Sequence, residues 1–169
     1  ADYRNGKIVI PEFQRDYVWK PSGAPKLIDS LFRGFPVSSL LLWVSSEETR
    51  ARRQAPRPSR AGPVSFLIDG QQRVITLSRT FAGNEGINVV FSPKDREFKL
   101  ENAATKRDDS WYALADLWDD DSYRAIRRNL SGARGEIYEA QFERVRAILD
   151  YEIPFVRMVE HPFDDAVDA

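Results

Sequence analysis

The chain has 169 residues, 42% of them hydrophobic and 30% charged, with a formal net charge of −1. That length can enclose one self-sufficient core, and no apolar run approaches the roughly 18 residues of a membrane span. With no cysteine, disulfides and thiolate metal sites are excluded. The near-neutral total hides an asymmetry: residues 1–85 carry 13 Lys+Arg against 8 Asp+Glu, and residues 86–169 carry 12 against 18. A polyanion is drawn to the first half. The N-terminus shows no apolar stretch of the kind a secretory signal needs, so a cytoplasmic location is expected.

Taken in chain order, Lys7–Ile10 is a short strand candidate stopped by Pro11. The next stretch, "PEFQRDYVW", is irregular and rich in aromatic and polar side chains. Ser22 is placed to cap a helix starting near Ala24, in which Leu27, Ile28, Leu31 and Phe32 recur at helical spacing. Gly34 stands where a C-terminal cap is expected, and Pro36 prevents continuation. Ser39–Ser45 reads as a buried strand. Residues 46–63 hold three prolines and five arginines without periodicity, which marks a loop.

Val64–Asp69 is the next strand and Gly70 a break. Gln71–Ala82 follows as a helix with Val74, Leu77 and Phe81 on its inner face. "GNEG" turns the chain into "INVVFS", for which "EFKL" is the hairpin partner. The remainder reads as mostly helical. "DSYRAIRRNL" is a solvated helix, and residues 136–151 form another with Tyr138, Phe142, Val145 and Leu149 at helical spacing. "EIPFVRMV" is a last strand. Strand and helix mix without a βαβ alternation, which predicts an α+β fold.

Two clusters carry chemistry. In "FLIDGQQRVITL" the run Asp69-Gly70-Gln71-Gln72-Arg73 falls at a helix N-terminus, where the first amides lack intrahelical partners and the dipole favours an anion. Gly70 admits close backbone approach. Arg73 can grip phosphate oxygens bidentately, and the two glutamines can both donate and accept. Asp69 can order Arg73, bind Mg2+ through water, or cap the helix. The same residues also suit a cap, a turn and a solvated first turn, and spacing does not separate the two readings. The second cluster holds Glu12, Gln14, Arg15, Tyr17 and Trp19, which suits base stacking and phosphate contact, or equally a set of core aromatics with a surface ion pair. The arginines of the 46–63 loop, Arg52 and Arg53 among them, suit contacts to DNA phosphates or a solvated surface. Lone His161 reads as a packing or surface residue, and no metal ligand set is assigned.

"IPEFQRDYVW", "LIDSLFRGFPVSSLLLW" and "FLIDGQQRVITL", in that order, resemble the N-terminal domain of GmrSD-type restriction endonucleases. The phosphorothioate-sensing SspE proteins are relatives of that family. The resemblance is strong over the first half of the chain and general over the rest. It implies a ParB/sulfiredoxin-like mixed sheet with packed helices over residues 1–100, then a helix-rich extension over 101–169, in one domain that family members continue beyond. It further implies binding and hydrolysis of a nucleoside triphosphate, GTP or UTP, with Mg2+, in restriction of modified DNA. Asp69, Gln72 and Arg73 then take catalytic positions, while Gly70, Gln71, Gln14 and Arg15 bind nucleotide. Tyr17, Trp19, Arg52 and Arg53 are expected to contact DNA or a modified base. Partners implied are DNA, a nuclease domain in the full-length chain or a separate subunit, and a second copy of the chain. An HNH nuclease site needs several histidines, and this chain has one, so DNA cleavage by that chemistry is not expected. Two other readings stand beside this one: a module that recognises modified DNA without hydrolysis, and a ParB-like nuclease using Asp69, Glu12 and Mg2+.

Overall fold

The computed structural model of the chain describes residues 6–11, 18–45, 64–83 and 86–159. They form an α+β fold in two compact units. The units do not follow sequence order: the first takes residues 1–18, 38–78 and 153–169, the second 19–37 and 79–152.

The first unit is built on a four-stranded mixed sheet. Its strands are β1 (Ile8–Val9), β2 (Leu40–Ser45), β3 (Val64–Asp69) and β7 (Phe155–Val159), in the order β1-β3-β2-β7. β2 runs antiparallel to β3 and parallel to β7, and β1 runs parallel to β3. Both faces of the sheet are apolar, as alternation along a doubly covered strand requires. Val9, Trp43, Phe66 and Ile68 pack on one face, and Ile10, Leu40, Leu42 and Leu67 on the other. The second face also takes Val74 and Ile75 from helix α2 (Gln71–Phe81). The β2–β3 register shifts between Leu41 and Leu42, so that Leu41 pairs Asp69 while Leu42 pairs Leu67. This bulge bends β3 just before its end, where α2 begins.

The second unit carries helix α1 (Gly23–Phe32) and an antiparallel sheet of β4 (Val89–Ser92), β5 (Glu97–Leu100) and β6 (Tyr112–Ala113), in the order β5-β4-β6. Three further helices follow: α3 (Leu114–Trp118), α4 (Asp120–Arg128) and α5 (Gly132–Arg146). Aromatic side chains form its core. Phe32 meets Phe91 and Phe98 at 5.4 Å between centroids, and fully buried Phe142 lies edge-on to Tyr112 at 4.8 Å. Arg144 lies over the Phe32 ring and donates to the Phe32 carbonyl at 3.1 Å, which ties α5 to the end of α1.

Most predicted elements stand close to their expected bounds, with two corrections. Ser22 precedes α1 but has helical backbone angles and makes no side-chain cap. The turn before it instead closes through Gly23 and Ala24 amides donating to the Lys20 and Pro21 carbonyls. Leu149, expected on the inner face of one long helix, is exposed. The chain tightens into a 3-10 turn at Ala147–Asp150, and the changed angular step brings Ile148 inward instead. At the other end of α1 the expectation stands. Gly34 has φ +72°, and the Gly34 and Phe35 amides donate to the Leu31 and Ser30 carbonyls in a Schellman cap. Asp119 caps α4 by accepting from the Ser122 amide at 2.9 Å, and that bond holds its carboxyl below the usual carboxylate range. Among the described residues no helix is long and apolar enough to cross a membrane.

Candidate functional site

β3 ends at Asp69, Gly70 makes the break, and α2 starts at Gln71. The first bond of the helix runs from the Val74 amide to the Gly70 carbonyl at 3.1 Å. The amides before it lie at the N-terminal end of the helix, where the dipole is positive. Gly70 has φ +93°, in the left-handed region that favours glycine. A Cβ there would overlap the Leu40 side chain and come within 3.1 Å of Arg73 Nη2. The junction therefore needs glycine twice over, for its backbone angle and for its space.

Arg73 is a clamp within the chain. Its guanidinium donates from Nη1 to the Ser38 carbonyl, and from Nη2 to the Ser39 carbonyl at 3.1 Å and the Asp69 carboxylate at 3.3 Å. The arginine side chain is 15% exposed and its aspartate partner 70%. So open an ion pair adds little to stability by itself. The two carbonyl contacts do more, because they hold the segment entering β2 against the strand-to-helix junction. Leu40, next in that segment, is the side chain closest over Gly70.

The glutamines are not a solvated first turn. Gln71 and Gln72 are both buried, at 5% and 7% exposure. Gln72 Oε1 accepts from the Val18 amide at 3.0 Å, and its carbonyl accepts from Thr76 Oγ1 at 2.7 Å. The first of these bonds fastens the chain immediately after the "EFQRDY" segment to the N-terminus of α2. The expected inner face of α2 stands: Leu77 is buried, Val74 packs against the sheet and Phe81 against Trp118 at 4.8 Å between centroids. Beside it lies a second buried stripe that was not expected, Gln72, Thr76 and Thr80, spaced four apart along one face.

The structure thus brings Asp69, Gly70, Gln71, Gln72 and Arg73 to one junction and adds three groups that the sequence did not single out. These are the Ser38 and Ser39 carbonyls and the Val18 amide. All three are backbone atoms, which leave no mark in residue type. Trp19 is 38% exposed and belongs to the second unit, beside Gly23. Gln14, Arg15, Tyr17, Arg52 and Arg53 lie outside the described residues, as do Glu12 and His161. Among the described residues no group of three or more metal-ligating side chains is present. A magnesium ion here would be held by Asp69 together with phosphate oxygens and water, a donor set that suits its preference for few carboxylates and retained waters.

The sequence matches the family described as the GmrSD restriction endonuclease N-terminal domain over residues 1–162. The chain belongs to that family. No curated protein matches it significantly. As a GmrSD N-terminal domain, it is a module of a restriction system, and so of defence against phage. The matched span of this GmrSD domain takes in the second unit, the first as far as residue 162, and the Asp69–Arg73 junction.

Proposed function

We propose that the domain binds a nucleoside triphosphate, GTP or UTP, at the N-terminus of α2 and hydrolyses it in control of DNA restriction. The observation that carries this reading is Gly70, held left-handed with no room for a side chain at the end of a helix whose dipole favours an anion. The phosphates would approach the first-turn amides of α2 from outside the space that Leu40 fills beside Gly70. Arg73 acts chiefly by fixing the Ser38–Leu40 segment, and its remaining N–H groups are available to a phosphate oxygen. Asp69, 70% exposed at the rim, would orient water or share a magnesium ion. The ion, when bound, supplies neutralisation of phosphate charge. Gln14 and Arg15 would complete the nucleotide site, and Tyr17, Trp19, Arg52 and Arg53 would contact DNA.

The test is a phosphate-release assay with GTP and with UTP in Mg2+, run alone and with unmodified or modified duplex. Release that changes when DNA is added is the expected result. DNA binding with no release under any condition would instead assign the chain to recognition of modified DNA without hydrolysis. Nicking of the duplex by the purified chain would point to Asp69 and Glu12 as a nuclease pair.

A further inference from the structure

The second unit holds a groove of about 340 Å3 between α1 and the β4–β5 hairpin. Lys26, Asp29 and Arg33 line it from α1 and its C-terminal end, and Arg96, Glu97 and Phe98 from the hairpin. Its acids are already engaged. Asp29 accepts from Arg33 Nε at 2.8 and 2.9 Å, and Glu97 pairs Lys99 at 2.8 Å. Lys26 and Arg96 have no carboxylate partner among the described residues, and the two terminal nitrogens of Arg33 lie beyond the atom that Asp29 occupies. The groove therefore keeps a surplus of positive charge. Lys26 and Arg33 are seven residues apart on one helix face, about 10 Å along the axis. That span exceeds a single phosphate and matches several successive charges of a nucleic-acid backbone.

Arg96 supplies the second observation. It ends the turn between β4 and β5 with φ +54°, the one non-glycine residue with positive φ among those described. Glycine or asparagine would take this conformation with less strain, whereas arginine does so at a cost. The left-handed position is the one that closes many hairpin turns, and from it Arg96 lines the groove.

We infer that this groove is a docking surface for the phosphodiester backbone of duplex DNA, with Arg96, Lys26 and Arg33 as its contacts. The choice of DNA among polyanions rests on the chain's place in a restriction system. Contacts of this kind hold the duplex without reading its sequence.

The position of Arg96 allows a test in which folding and binding move in opposite directions. Arg96→Gly relieves the left-handed strain, so the variant should unfold at the same or a higher temperature than the parent chain. Its affinity for a short fluorescein-labelled duplex, read by anisotropy across a salt series, should fall several-fold. The slope of log affinity against log salt should become shallower by about one unit. Lys26→Gln should add a second decrement, and Arg96→Lys should keep the slope. An Arg96→Gly chain with the parent's affinity and slope overturns the proposal. So does a variant that loses GTP affinity while binding DNA normally, because the groove would then be a free-nucleotide site. A parent chain that fails to bind duplex at all removes the DNA-acting reading as well. Parent binding that Arg96→Gly leaves untouched removes only this groove.

Discussion

Replacing Gly70 by alanine is expected to cost about 2–4 kcal/mol of stability, from an unfavourable left-handed backbone and from overpacking. The backbone contribution arises because φ is +93° and the new Cβ meets the following carbonyl. The packing contribution arises because the Leu40 side chain fills the space a methyl group would need, with Arg73 Nη2 only 3.1 Å away. Leu40 cannot retreat freely, since it packs with Ile10, Leu42 and Leu67 on the sheet face that also receives Val74 and Ile75. Against a typical total of about 5–15 kcal/mol, such a loss is large. Urea denaturation followed by circular dichroism would measure it. Nucleotide binding should be lost even under conditions where the variant remains folded, because making room for the methyl group displaces Leu40 and the Arg73 guanidinium from the start of α2. A Gly70→Ala chain with unchanged midpoint and unchanged nucleotide affinity would contradict both parts.

Arg73→Ala should destabilise the chain by about 1–2 kcal/mol, less than two charged hydrogen bonds would suggest, because Ser38 and Ser39 are exposed and their carbonyls can rehydrate. Its effect on nucleotide binding should be greater, a loss of tenfold or more, corresponding to about 1.4 kcal/mol per factor of ten. The reason is geometric. Without the guanidinium the Ser38–Ser39 backbone loses its side-chain tie to the start of α2, although Leu40 stays anchored in the sheet. Arg73→Lys keeps the charge but cannot span two carbonyls and a carboxylate at once, so it should recover little of either loss. Titration of GTP into each variant by calorimetry, beside its urea midpoint, separates the two effects. An Arg73→Ala chain that binds and hydrolyses GTP normally would remove Arg73 from the site.

The junction itself was legible because two independent patterns meet there. The apolar run Val64–Ile68 ends at an acid and a glycine, and helical spacing resumes immediately after them, so strand, break and helix were placed with the observed bounds of β3. The hairpin of β4 and β5 was equally plain from its paired apolar runs and polar turn. What could not be read was chemistry carried by backbone atoms. The Ser38 and Ser39 carbonyls that occupy Arg73, and the Val18 amide that occupies Gln72, have no residue signature. Sequence reasoning foresaw Asp69 ordering Arg73 and otherwise gave the guanidinium to a ligand or to solvent, whereas most of its hydrogen bonding goes to backbone carbonyls of its own chain. Ser22 shows a related limit, since a residue type that favours capping adopts helical angles when the turn before it already supplies the bonds. The discontinuous units escaped notice because β7 joins β2 across more than a hundred residues, and short pieces such as β6 and α3 are too brief for periodicity to register.

The central claim is that the N-terminus of α2 is a phosphate cradle. Its most direct measurement is titration of the 15N-labelled chain with GTP and Mg2+, followed at individual amides. The largest shifts should fall on Gly70, Gln71, Gln72 and Arg73, saturate with the same constant as calorimetry, and vanish in Gly70→Ala. Saturating GTP that leaves these four amides unmoved, or moves only amides elsewhere, would contradict it.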